Sequence, residues 1–291
     1  MKLQLINKKS NHIKFSKKVL TKEVLVYTLL IIWLLVNLFP LYWMFTFSFK
    51  NNAEIFGENV VGLPQTWQFE NYDAALGVNN LPRFFLNSFI VTGVTILLTV
   101  FIAMMAAFAL CRMIWKGRKV VNSMVVLGMT IPIHASILPI FLVLSKLDML
   151  NSYQSLIVPY TAFALSVAIL IFIGFMQEIP KELDEAACID GCNVWGIFRH
   201  VIFPMMRPSI ATVGIFTFIQ TWNELMFAII FINKADFFTL TVGIQTLSGS
   251  YTREWGPIGA ALVVATFPTI IAYAFLSKKI HESVSAGAIK G

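Results

Sequence analysis

The stretch DEAACIDGCNVWGIFRHVIFP, Asp184–Pro204, is a polar interruption in an otherwise apolar chain. Around its start three acids, Glu182, Asp184 and Glu185, fall within four residues, and small residues, a glycine and a proline follow. On either side the sequence is hydrophobic enough for a membrane. Of the 291 residues, 57% are hydrophobic and only 13% charged, and the mean hydropathy is +0.75. Soluble domains carry about 25% charged residues. A chain this apolar takes the bilayer as its solvent, so length is spent on spans rather than on domains.

Six long apolar stretches are predicted to cross, at approximately 24–49, 84–111, 120–145, 155–177, 208–232 and 257–277. Each reaches the roughly 20 residues a helix needs to span. The first is too long for a signal-peptide core and offers no small-residue cleavage site, so it reads as an uncleaved anchor behind a basic tail, residues 1–23. The 22 Lys and Arg residues fall unevenly: 17 on the side holding both tails and the loops after spans two and four, 5 on the other. By the positive-inside rule both termini and the Asp184–Pro204 segment are cytoplasmic. The formal charge of +7 is therefore membrane topology, with no indication of nucleic acid. Cys111, Cys188 and Cys192 make no disulfide framework and read as packing residues. Prolines 40, 132, 139, 159 and 268 lie within spans, where each removes a backbone donor. Such breaks in lipid need protein or a water-filled cavity beside them.

The polar segment itself reads as helix–turn–helix. Pro180 suits a first helical position, and the acids that follow suit the positive helix start. Gly191 suits a left-handed stop, and Asn193 a second N-cap. The second helix, with Trp195, Ile197 and Phe198, ends near Pro204. Ala187 and Gly191, four apart, form a small flat face beside acids. That shape fits the groove of a soluble partner, or a helix that merely covers the span ends.

EAA, three residues, G, nine residues, then V-x-F-P resembles the EAA loop of bacterial ABC importer permeases, with Val201 and Phe203 at the family's Ile and Leu positions. The stretches LPQTWQFENY (Leu63–Tyr72), NSFIVT (Asn87–Thr92), WNELMFAIIF (Trp222–Phe231) and the terminal AGAIKG resemble the maltose-permease-like, sugar-importing branch. The resemblance implies an all-α integral membrane protein of six transmembrane helices, residues 24–280, with a cytoplasmic coupling loop over 178–207 and a C-terminal tail over 281–291. It further implies that Glu185, Ala186, Ala187, Asp190, Gly191 and Pro204 belong to the loop that couples to an ATPase. The partners it implies are a second permease, two ABC ATPase subunits that bind ATP and Mg, and an extracytoplasmic sugar-binding protein. The location is the bacterial cytoplasmic membrane. The outer segment 233–256 then approaches the binding protein, and the flexible end Ser285–Gly291 reaches toward the ATPases.

Glu224 is the one acid deep in a span, and such a group faces protein or water. Thr217, Gln220, Asn223 and Glu224 recur at helical spacing as a polar stripe. Two readings stay open: a translocation path offering hydrogen bonds to sugar hydroxyls, or interhelical hydrogen-bond glue. Asn87 is a weaker candidate of the same kind, and Trp222 points elsewhere on the wheel. The four histidines match no metal spacing, and no catalytic constellation or GK[ST] phosphate loop occurs. The chain is thus expected to do no chemistry, to hold no metal and to bind no ATP itself. The competing class is an ion-coupled carrier with Glu224 as the coupling group, which predicts internal repeats that the sequence does not show.

Overall fold

A computed structural model describes residues 17–78, 80–247 and 254–288. Most of the basic tail, part of the outer segment and the last three residues lie outside them. The helices, in chain order, are α1 Lys17–Phe47, α2 Asn52–Phe56, α3 Glu70–Asp73, α4 Leu81–Arg112, α5 Arg118–Gly128, α6 Ile137–Lys146, α7 Gln154–Glu178, α8 Glu182–Ile189, α9 Val194–Ile197, α10 Phe203–Met205, α11 Arg207–Trp222, α12 Met226–Phe231, α13 Leu240–Leu247 and α14 Trp255–Ala288. No strand occurs among the described residues.

Four of the six apolar stretches hold single helices long and apolar enough to cross: Glu23–Phe47, α4, α7 and Trp255–Ala274. The other two are broken into shorter helices, so single long helices account for four of the six expected crossings. In the third stretch α5 tightens at its end, where Met129 N bonds Val126 O and Thr130 N bonds Leu127 O. Pro132 follows and cannot donate back to the helix, so the helix does not run on into α6. In the fifth, α11 stops at Trp222 and α12 begins at Met226. Prolines 40, 159 and 268, by contrast, sit inside continuous helices. The C-terminal end also differs from the expectation of a flexible tail from Ser285, since α14 continues to Ala288.

The bundle is built on α4 against α7, with α11 packed on α4, α7 and α14. Buried side chains from the C-terminal halves of α4 and α7, including Met104, Phe108, Phe172 and Met176, meet Ile197, Phe198 and Ile202 at one end. A second cluster joins Leu156 and Tyr160 of α7 to Phe227 and Phe231 of α12, and a third joins Phe84, Trp222, Leu240 and Ala261. Small residues set the close approaches, as expected where packing rather than apolar burial drives association: a Cβ on Gly243 would overlap the Phe84 ring. The span of α1 meets chiefly α14, and none of its most apolar window is buried.

The two ends of the bundle sort the basic residues as the charge count predicts. Arg112, Lys181, Arg199 and Arg207 gather with α8–α10 at what we term the loop end. Lys50, Arg83 and Lys234 lie at the opposite end, tied together through Arg83–Asp236 and by Asn52 and Asn151, which hold the segments leading into α14 and following α12.

Candidate functional site

Two arrangements have functional form: the protruding loop α8–α10, and a polar cavity at the break between α11 and α12.

The helix–turn–helix reading of the loop holds, with the first helix starting two residues later than expected. Glu182, not Pro180, takes the first helical position, Lys181 precedes it, and the Asp184 and Glu185 N–H groups bond Lys181 O. Gly191 takes a left-handed φ of 85°, and Cys192 N returns to Ala187 O at 2.9 Å, closing the helix end. Asn193 caps α9 by accepting from Gly196 N at 2.8 Å. A wide turn at Phe198–Ile202 opens ahead of Pro204, whose ring crowds the carbonyl four residues back. The chain then bends by 73° into α11.

Within this loop Glu185, Ala186, Asp190, Gly191 and Pro204 are exposed, whereas Ala187 is buried. Ala187 packs into the bundle's own core beside the α4 and α7 ends. The small face built by Ala187 therefore meets this chain rather than offering itself outward. The free surface carries Ile189, Val194 and Trp195 beside the acids, and Ile189 is 87% exposed.

The cavity, of about 430 Å³, is lined by His134, Tyr160, Gln220, Asn223, Glu224 and apolar neighbours. Glu224 accounts for the helix break beside it. Its carboxylate accepts from Phe227 N at 2.9 Å and Ala228 N at 3.3 Å, in place of the backbone acceptors a continuous helix would supply. The Glu224 carbonyl, released from the helix, accepts from Thr241 Oγ1 at 2.8 Å. The Tyr160 hydroxyl also donates to the carboxylate. One acid thus ends one helix segment, starts the next and ties both to α7.

The structure divides the expected polar stripe. Gln220, Asn223 and Glu224 border the cavity, while Thr217 is buried in the helix packing. Asn87 lies away from it: its amide donates to Asp236 O and Phe238 O, both at 2.9 Å, and its Oδ1 accepts from Tyr153 Oη at 2.8 Å. Trp222 is buried, donates to Ala265 O, and stacks on Phe218. His134 and Tyr160, which the stripe did not include, reach the cavity from the third-stretch break and from α7. Tyr160 carried no sequence signal, because only the fold brings it opposite Glu224. Among the described residues no group of three His, Cys, Asp or Glu side chains comes together as a metal site.

Broken and bent spans around a polar cavity, with an amphipathic loop outside the bundle, define a multi-pass membrane transport protein. Residues 99–285 match the family described as binding-protein-dependent transport system inner membrane component, and the chain belongs to that family. It is 35% identical to the sulfoquinovosyl glycerol transport system permease protein SmoH of Agrobacterium fabrum, over 89% of this chain and 91% of that protein. It is 34% identical to the diacetylchitobiose uptake system permease protein NgcG of Streptomyces coelicolor, over 91% and 88%. It is 33% identical to the trehalose/maltose transport system permease protein MalG of Thermococcus litoralis, over 93% and 98%. The fold matches that of a chain in the crystal structure of a bacterial ABC transporter involved in alginate import, with a TM-score of 0.81 over 91% of this chain and 98% of that one, at 22% identity.

Proposed function

We propose that this chain is a permease subunit of a binding-protein-dependent ABC importer that moves a sugar across the bacterial cytoplasmic membrane. It pairs with a second permease and with two ATPase subunits that bind ATP and Mg, and an extracytoplasmic binding protein delivers the sugar. The chain itself supplies a path and a lever and performs no chemistry. The loop end faces the cytoplasm, in keeping with the basic residues gathered there. The observation that carries the reading is α8: an EAA-bearing helix whose Glu185, Ala186, Asp190 and Gly191 are exposed while Ala187 anchors it to the bundle. Nucleotide-driven closure of the ATPases moves α8, and the bundle shifts between two states of differing nucleotide preference. The diacetylchitobiose and trehalose/maltose permeases among its relatives, and a cavity whose polar lining is mostly uncharged, support a neutral polyhydroxylated solute. Nothing in the family membership supports an ion-coupled carrier.

The test is reconstitution with the partner subunits and binding protein in vesicles, with maltose, trehalose and diacetylchitobiose as radiolabelled probes. ATP-dependent uptake is expected, together with cross-linking of a cysteine at Ala186 or Ile189 to the ATPase. Uptake by this chain alone without nucleotide would overturn the reading. For the cavity, Glu224→Gln separates the two roles: lost uptake in a complex that still assembles places Glu224 on the path, and normal uptake leaves it a structural cap.

A further inference from the structure

Arg112, the last residue of α4, sits where three elements meet. Its Nη2 donates to Met176 O at 3.1 Å and Ile179 O at 2.7 Å, two carbonyls where α7 ends, the first of which also accepts from Ile179 N. Its Nε lies 3.2 Å from Asp184 Oδ2, in the first turn of α8. The Arg112 side chain is 7% exposed and that of Asp184 18%. Neither Arg112 Nε nor the second carboxylate oxygen, Oδ1, makes a hydrogen bond among the described residues, so the two side chains are joined as an ion pair. The guanidinium and carboxylate are thus withdrawn from water and held chiefly by each other and by the end of α7.

We propose that Arg112 is a positioning residue for energy coupling, a rigid bolt through Asp184 that transmits displacement of α8 to the ends of α4 and α7. The proposal rests on the importer reading above. Among the described residues, the only other purchase α8 has on the bundle by buried side chain is Ala187, a single methyl group. A methyl contact resists approach but not withdrawal or sliding. A charge-paired fork resists all three, because pulling α8 away separates a largely desolvated ion pair. The planar guanidinium presents donors in a fixed fork, so one side chain can serve α7 and α8 simultaneously. Lysine, a point donor on a flexible stem, keeps the charge but cannot hold both directions at once.

A residue that only stabilises the loop and one that transmits force differ in a measurable ratio: sugar moved per ATP hydrolysed. In the reconstituted complex, with whichever of the three disaccharides the wild type imports, Arg112→Lys and Asp184→Asn are each expected to assemble and to hydrolyse ATP. Transport per ATP is expected to fall by about tenfold, within the range that substitutions along a coupling route produce. The double variant is expected to be no worse than the poorer single one, since the two residues act through one contact. Asp184→Asn changes no shape, so it decides the matter if Arg112→Lys folds poorly. An unchanged ratio, or loss of assembly and of ATPase activity together with transport in Asp184→Asn, overturns the proposal. Absence of ATP-dependent uptake by the wild type sinks the importer reading instead, which keeps the two failures distinct.

Discussion

The Tyr160 hydroxyl donates to the Glu224 carboxylate, joining the middle of α7 to the gap between α11 and α12. The acid also holds the first free N–H groups of α12. Removing the two partners should therefore have unequal effects. Tyr160→Phe deletes one donor to a charged acceptor, worth about 1.5–3 kcal/mol. Glu224→Ala frees the two α12 N–H groups and strands the buried Tyr160 hydroxyl, and so costs more. Thermal unfolding of the purified protein in detergent should rank Glu224→Ala below Tyr160→Phe. Equal melting temperatures for Glu224→Ala and Tyr160→Phe would remove Glu224 as the organiser of the break.

What the sequence disclosed was local. The caps at Gly191 and Asn193 act within a few residues, and so the loop's helices were legible. The sidedness of the basic residues is additive and was legible too. The breaks in the third and fifth spans were not. Hydropathy averages over a window and does not sense a carboxylate taking over a helix's own donors. Proline alone did not mark the breaks either, because Pro40, Pro159 and Pro268 continue their helices while Pro132 follows a break. Spacing placed Ala187 and Gly191 on a common face but could not tell which neighbour that face meets. Arg112 counted toward topology, and its second role depends on where α7 ends in space.

Asn87 fastens the segment after α12 to both α4 and α7. Asn87→Ala leaves the Asp236 and Phe238 carbonyls without this donor and the Tyr153 hydroxyl without its acceptor. The freed groups are only half-buried or exposed and can regain water, so the cost is that of the hydrogen bonds themselves, about 1 kcal/mol each. Asn87→Asp should be no better, because it turns an acceptor toward two carbonyls. Limited proteolysis should show faster cleavage between about residues 233 and 247 in both variants. Wild-type cleavage rates in Asn87→Asp would mean that the amide's two donations carry no weight.

Gly259 lets α14 lie against the end of α1: a Cβ there would come within 2.5 Å of Phe47 Cδ1 and 3.1 Å of the Ser48 Cα. The Phe47 ring must swing aside and the backbone at Ser48 give by a few tenths of an ångström to admit it. Gly259→Ala is therefore expected to destabilise by about 1–3 kcal/mol, the usual range for overpacking. Gly93, on α4, has nothing within 4 Å of such a Cβ, and Gly93→Ala serves as the near-neutral comparison in the same melting experiment. A melting temperature for Gly259→Ala as high as that of Gly93→Ala would contradict the close approach.

At the far end from the loop, Lys50 is enclosed and donates to Asn59 O at 2.6 Å and Val60 O at 3.1 Å, while Glu54 accepts from Gln65 N at 2.9 Å and Asn59 Nδ2 at 3.1 Å. The Gln65 N–H lowers the Glu54 carboxyl below its ordinary range; burial opposes this, and the Asn59 amide, the Thr66 N–H and the Lys50 charge reinforce it. Burial pulls the Lys50 ammonium down, with Glu54 working against it. A carboxyl lowered in the folded state binds fewer protons there than in the unfolded chain. Its contribution is complete above the unfolded value and is lost as pH falls toward the folded one. Lys50, also lowered, adds stability only as pH rises toward the unfolded lysine range, so it cannot produce an acid transition. The segment between α1 and α4 should accordingly loosen on acidification below the ordinary glutamate value of about 4.3, through Glu54. Trp67, packed 5.1 Å from Phe49, reports it. With Trp67 as sole tryptophan, emission should shift to the red in that window, and Glu54→Gln should abolish the step. A step that persists unchanged in Glu54→Gln would assign the acid response to another carboxylate.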